Sequence, residues 1–443
     1  MASASSTFST PQSGPLTTRS DEDLAPGDIA VGVIIGRASE YFDFFVFGIA
    51  SVLVFPQVFF PFADPLTGTL YAFLVFALAF VVRPVGTLIG MEIQRRFGRS
   101  TKLTAALFLL GSSTVAMGLL PSFTEAGSTA ILLLTLCRVG QGLALGGSWD
   151  GLPSLLALNA PPQRRGWYAM LGQLGAPLGF FVASGVFLYV YGSLDSKDFL
   201  SWGWRFPFFT AFAINVVALF ARLRLVVTHE YEKRMEEHEL DPAHLHALLP
   251  AQGHHIVIGA FAALASYALF HLVTVFPLSW VALFSDQDVA DFMKMELLGA
   301  AFAAAAMPMS GLIADRVGRR NFLGTLAIAI GVFALFAPLM LGGGKPGQAA
   351  FILIGFVLLG LSYGQSAGSV TSNFLPHFRY TGAALTADMA WLFGAAFAPV
   401  VVLFLSSRFG LGSVSVYLVS GVACTLLALR VNKRLQTAAV VQD

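Results

Sequence analysis

The chain has 443 residues, of which 56% are hydrophobic and 12% charged, with a formal net charge of +1 and a mean hydropathy of +0.74. Soluble domains carry about 25% charged residues, so this composition excludes an ordinary water-soluble globule. The two cysteines, Cys137 and Cys424, fall inside apolar runs and imply neither a disulfide framework nor a metal site.

Residues 1–28 are rich in Ser, Thr and Pro and carry Asp21, Glu22 and Asp23. Such a segment is expected to be a disordered tail. It lacks the basic start, apolar core and cleavage site of a secretory signal. Twelve apolar runs follow, near 30–55, 68–90, 101–120, 129–149, 166–191, 204–226, 255–284, 292–314, 321–341, 348–370, 380–406 and 411–430. Each has about 18 or more residues and can cross a ~30 Å hydrocarbon core as a helix. Barrel strands would show alternating segments of about ten residues instead. The predicted fold is therefore an all-α membrane protein of twelve transmembrane helices in two six-helix bundles, 29–226 and 255–430, with a tail at 431–443. The polar stretch 227–254 joins the halves and reads as a solvated helix. Six of the eight histidines lie at 229–255, among them His244, His246, His254 and His255. No ligand set surrounds them, so a solvated linker is expected rather than a metal site.

The placement of basic residues gives the orientation. With the first run going outward, the inside connections and the C-terminal tail hold seventeen Lys and Arg, among them Arg95, Arg96, Arg99, Lys102, Arg164 and Arg165. The outside connections hold five, Lys197, Arg205, Lys294, Lys345 and Arg408. The positive-inside rule then puts both termini in the cytoplasm.

Gly311–Arg320 reads G-L-I-A-D-R-V-G-R-R between two apolar runs, and Met91–Ser100 occupies the same place half a chain earlier. A basic, glycine-bearing turn repeated at this spacing implies a duplicated membrane protein. Two repeats with a substrate site between them near the midplane are the mark of transporter folds. The second turn, Gly311-x-x-x-Asp315-Arg316-x-Gly318-Arg319-Arg320, resembles the motif of the major facilitator superfamily. Further stretches resemble its metabolite–proton symporter branch: Glu40-Tyr41-Phe42-Asp43, Arg83-Pro84-x-Gly86, Arg138-x-x-Gln141-Gly142 with Gly146-Gly147, Arg164-Arg165-Gly166, Gln173-x-Gly175-x-Pro177-x-Gly179, Trp202-Gly203-Trp204-Arg205-x-Pro207 and Arg379-Tyr380-Thr381-Gly382. The resemblance spans about residues 29–430. It implies secondary active transport of a small organic metabolite by proton symport. The implied partners are that substrate, protons and the lipid bilayer, with no nucleic acid and no cofactor. The chain is expected to be a monomer in the cell inner membrane, and not an enzyme.

An acid at one helix end can pair with arginines and with the N-terminus of a neighbouring helix. Asp315, Arg316 and Arg319, with Gly318 at the turn, are the expected cytoplasmic latch. In the first copy Gly98 and Arg99 remain, but Met91 replaces the leading glycine, Arg95 stands where the acid belongs and Ser100 replaces the last basic residue. Glu92 could substitute; otherwise the turn only sets topology. The latch is therefore expected to rest on Asp315.

Ionisable residues inside spans are costly and mark pathways or relays. Arg37, Glu40 and Asp43 recur at three-residue steps, so successive members share a helix face. Asp43 lies twelve residues beyond Val31, roughly 18 Å deep, and is the expected proton-linked group. Arg138 can partner it or hold an anion. Gln141, Gln173, His271 and Asp388 complete the candidate set, although His271 is as readily a packing residue. Trp149, Tyr363, Gln365, Asn373 and Trp391 are expected cavity liners. Gly172, Gly175, Pro177 and Gly179 should break the fifth span, and Gly360, Gly364 and Gly368 should let the tenth pack closely.

The branch usually reads Gly-Glu-Trp-Gly-Gly where this chain has Gly147-Ser148-Trp149-Asp150-Gly151, so its substrate cannot be copied from a relative. Arg37 and Arg138 favour a small carboxylate. A facilitator or exporter without proton symport, and a non-transporting receptor, remain as alternatives. No phosphate-binding loop, H-E-x-x-H or nucleophile elbow occurs in the spans.

Overall fold

A computed structural model of the chain describes residues 26–149, 161–226, 241–367 and 373–442. The expected tail over 1–25, most of the linker (227–240), Asp150, Gly151 and Gly368 lie outside the described residues. Among the described residues there are twelve membrane helices. They are α1 (Pro26–Leu53), α2 (Pro65–Phe97), α3 (Arg99–Gly118), α4 (Ser128–Gly147), α5 (Arg165–Leu171 and Gly175–Ser193) and α6 (Phe206–Val226), then α7 (Leu245–Ala262, Leu264–Thr274 and Phe276–Phe284), α8 (Val289–Val317), α9 (Arg319–Gly342), α10 (Gly344–Tyr363), α11 (Arg379–Trp391 and Ala398–Phe409) and α12 (Gly412–Gln442). Among the described residues, ten helices meet a simple test of length and apolarity for crossing a membrane. The two that do not are α1, which carries Arg37, Glu40 and Asp43, and α3, which carries Arg99, Lys102 and several hydroxyls.

The duplication is visible in local geometry. α2 is capped by Asp64, whose Oδ1 accepts from the Thr67 N–H at 3.1 Å, and α8 by Asp288, whose Oδ1 accepts from the Asp291 N–H at 2.9 Å. Each helix then ends on a glycine with φ of 83°, Gly98 and Gly318, in the left-handed region that penalises a Cβ. The following helices start at Arg99 and Arg319.

Within each half, small residues set helix approach. α2 packs mainly on α4, and α8 on α10. A Cβ on Gly146 would fall 2.1 Å from the Arg83 carbonyl oxygen, and one on Gly360 would fall 2.5 Å from that of Ala303. Gly146→Ala must push two backbones apart and is expected to destabilise the fold by about 1–3 kcal/mol. Gly324→Ala, whose nearest neighbour would be 3.8 Å away, is expected to be near neutral. Thermal unfolding of the two purified variants checks the contrast.

The halves meet along three seams: α5 on α8, α2 on α11, and α1 on the outer part of α7. The break in α5 falls at residues 172–174, where the glycines predict it. Because the spans are even in number, α1 begins and α12 ends on one face, here called the terminal face; the opposite one is the far face.

Candidate functional site: the seam between the two bundles

Three structural layers follow one another along the seam. On the terminal face the bundles are latched. Asp315, ending α8, accepts from the backbone N–H of Gly166 at 2.5 Å and of Trp167 at 3.1 Å, so its carboxylate caps the first turn of α5. Arg319 reaches the Arg165 carbonyl at 3.0 Å and Gln365 Oε1 at 3.2 Å. Gln365 in turn donates to the Gly166 carbonyl and Ser310 Oγ, both at 3.1 Å. The leading Gly311 is needed because a Cβ there would meet Trp167 Cα at 2.9 Å. Arg316 is exposed and takes no part in the latch.

The first turn keeps a latch, built from other residues. Glu92 is 42% exposed and pairs with Arg95 and Arg96 of its own helix at 2.5 Å, so it does not replace the missing acid. Instead Lys102 Nζ donates to Gln94 Oε1 at 2.7 Å, to the Trp149 carbonyl at 2.6 Å and to the Tyr380 hydroxyl at 2.6 Å. Tyr380 begins α11, so this buried ammonium ties the first bundle to the second. Arg99 is buried beside it at the start of α3. The expectation that the latch rests on Asp315 therefore has to be widened. Lys102 stood in the sequence as a cation one turn into an apolar helix, but its partners on α2 and α11 did not.

Beneath the latches lies a cavity of about 30 Å³, lined by Arg37, Arg83, Trp149, Gln173, Tyr363 and Trp391 among others. That volume holds about one water. Arg37 donates to Glu40 at 2.6 Å, and Ser148 Oγ donates to the other Glu40 oxygen at 2.8 Å. Across the seam, Arg83 of α2 pairs with Asp388 of α11 at 2.8 Å, and Thr87 Oγ1 donates to the same carboxylate at 2.5 Å. Both partners are buried. Gln173 spans the seam to Ser366 at 3.4 Å, and the Tyr41 and Tyr363 hydroxyls meet across it.

Nearer the middle, rings from both bundles close the path. Tyr41, Phe44, Phe45, Phe80, Phe270 and Trp391 pack with centroids 5.0–6.4 Å apart. His271 is fully buried among them, 5.2 Å from the Phe44 ring, and neither ring nitrogen has a hydrogen-bond partner among the described residues. It fills the packing role here. On the far face a vestibule of about 540 Å³ opens between the bundles, lined by Leu53, Gln57, Thr69, Tyr191, Leu283 and Val289 among others. The chain is thus closed on the terminal face and open on the far one.

Two sequence candidates lie off the cavity. Asp43 is buried and turned towards α6, where Asn215 Nδ2 donates to it at 2.7 Å and Ser39 Oγ donates to Asn215 Oδ1 at 2.8 Å. Arg138 forms no ion pair with Asp43. Its guanidinium donates to the Phe76 carbonyl at 3.1 and 2.9 Å and to Gln141 at 2.8 Å, and lies 4.1 Å over the Phe47 ring. Carbonyl oxygen and aromatic faces stabilise this cation in place of a carboxylate. The arginines that line the cavity are accordingly Arg37 and Arg83, not Arg37 and Arg138. Of the other expected liners, Gln365 belongs to the latch and Asn373 bonds to Asn432 at 2.8 Å.

Comparison with known proteins fixes the family. Residues 29–237 match the family model described as "Sugar (and other) transporter". The Escherichia coli inner membrane metabolite transport protein YhjE is 38% identical over 411 residues, covering 90% of this chain and 92% of that one. A solved "MFS (major facilitator superfamily) proton:xylose symporter" shares the fold, with a TM-score of 0.68 at 18% identity, over 91% of this chain and 95% of that one. The chain belongs to the major facilitator superfamily. This facilitator is a membrane transporter of small molecules and not an enzyme. It is also similar to the Escherichia coli shikimate transporter, with 29% identity over 91% of this chain and 94% of that one.

In this facilitator the Arg83–Asp388 pair is the feature that sequence reasoning only half found. Asp388 stood out as an acid in a span, whereas Arg83 was legible only as part of a motif. Removing one partner of a buried pair is expected to cost about 3–5 kcal/mol, whereas removing both costs far less. Arg83→Gln should therefore melt well below Arg83→Gln/Asp388→Asn in thermal unfolding of the purified protein.

Proposed function

We propose that this facilitator carries a small organic carboxylate together with a proton across the inner membrane by alternating access, with both termini cytoplasmic. One observation carries the reading: two arginines, each already paired with an acid, face a single small cavity on the seam. A substrate carboxylate competes with Asp388 for Arg83. Once displaced, Asp388 sits in a dry site without a counter-ion, where a bare carboxylate is very costly, so it takes up a proton. Anion and proton then enter together. The bound pair also loosens a contact between the bundles, which gives ligand and proton the unequal affinity for two states that a cycle requires. The vestibule faces outward in this reading, and the latched turns face the cytoplasm. The basic residues that cluster on the terminal face support that orientation.

The relatives supply candidate substrates. Transporters named for shikimate and for proline and betaine are similar to this chain at 27–29% identity, and those substrates all bear a carboxylate. A neutral sugar is the competing class. Proteoliposomes containing the pure protein should accumulate labelled shikimate or proline only when an inward proton gradient is imposed. Accumulation of xylose but of neither acid, or uptake indifferent to the gradient, sinks the proposal.

A further inference from the structure

Glu296 takes no part in the cavity or the latches, and no motif points to it. It lies eight residues past the cap Asp288, roughly 12 Å along α8 from the far face. The side chain is fully buried, and among the described residues neither carboxyl oxygen has a hydrogen-bond partner.

Its place on the helix is informative. Val289 of α8 lines the far vestibule. Met293 and Glu296 follow at the fourth and seventh positions, which share one face of a helix. Ala303, a further seven residues on, and Met307 line a second, apolar cavity with Phe45, Phe270 and Tyr363. Glu296 therefore stands on the strip of α8 that runs from the vestibule to the centre of the seam.

The surrounding elements supply no counter-ion. The outer piece of α7 and the outer end of α1 contain no titratable residue. The outer end of α5 carries no acid or base other than the phenols of Tyr189 and Tyr191. α10 begins with Lys345, which is exposed and lies 3.7 Å from Asp291; Asp291 itself pairs with Lys294 at 3.0 Å on the outside. The basic residues of α9, Arg319 and Arg320, are at the opposite face.

An unpaired carboxylate in such surroundings costs far more than packing returns, so the group is carried as the acid. Even the acid leaves an O–H unmatched, which is unfavourable in a buried site. A leucine or methionine there would avoid that cost. We propose that Glu296 is a proton-binding site on the pathway beneath the vestibule, holding its proton in the arrangement seen here and exchanging with water when the outer strip of α8 moves apart from its neighbours. The proposal is independent of the Asp388 mechanism and of the substrate.

Infrared difference spectra of the full-length protein in detergent, wild type minus Glu296→Gln, test it. A carbonyl band of un-ionised carboxyl is expected at neutral pH, lost reversibly as the pH is raised. No such band, or a band indifferent to pH, overturns the proposal. Should Glu296→Gln not fold, dicyclohexylcarbodiimide gives the answer on the wild type, because it attacks buried protonated carboxyls. Mass spectrometry should find the Glu296 peptide modified at neutral pH and much less so at alkaline pH. An unmodified peptide, or equal modification at both, contradicts the assignment.

Discussion

Asp388→Asn is expected to abolish accumulation driven by a proton gradient while sparing counterflow of pre-loaded substrate. Asparagine keeps the size of the side chain and can still accept from Thr87, which bonds Asp388 at 2.5 Å. It cannot hold a proton for transport. Arg83 then lacks its competing carboxylate, so a substrate acid should bind more tightly and with little dependence on pH. Retained counterflow also shows that the variant folds, which separates loss of coupling from loss of structure. Asp43→Asn is expected to be milder in this respect, because Asp43 faces Asn215 at 2.7 Å within the first bundle and lies off the cavity. If Asp43→Asn uncouples transport and Asp388→Asn does not, the proton travels by the other acid.

Asp315→Asn is expected to shift the protein towards the state open at the terminal face. Its carboxylate receives two backbone N–H groups at the start of α5, at 2.5 and 3.1 Å. Hydrogen bonds to a charged acceptor contribute about 1.5–3 kcal/mol each, and an amide retains part of that. A net loss of about 1.4–2.8 kcal/mol would change the ratio of states by roughly ten- to a hundredfold. Labelling of a cysteine at Ser366, which lines the cavity, should speed up accordingly when the thiol reagent is applied from the terminal face. Lys102→Met is expected to have a comparable effect, since Lys102 ties Gln94, the Trp149 carbonyl and Tyr380 together. A large effect from Asp315 with none from Lys102 would restore the one-sided latch that the degraded first turn suggests.

The two turns illustrate what a single sequence discloses. Asp315 was legible because it belongs to a short pattern whose physics is local, an acid aimed at a helix end. The replacement latch was not, because Gln94, Lys102 and Tyr380 are brought together only when α2, α3 and α11 assemble. The same holds for Arg83 and Asp388, separated by most of the chain and joined only at the seam. Hydrophobic run length marked ten of the spans plainly, since crossing a bilayer leaves little freedom in length, while the charges and hydroxyls of α1 and α3 blur those two. Pairing of charges was harder: Asp43 and Arg138 are both buried, yet each bonds to a neighbour that is not the other. Glu296 escaped notice because it stands eight residues beyond a polar cap, where an acid reads as the edge of a span.

The most direct test of coupled binding is the proton count on adding substrate to the purified protein in weakly buffered detergent. Shikimate or proline, whichever is accumulated, should draw protons from solution in the wild type and not in Asp388→Asn, although both bind. Binding without proton uptake in the wild type, or equal uptake in the variant, contradicts the exchange of carboxylate for proton at Arg83.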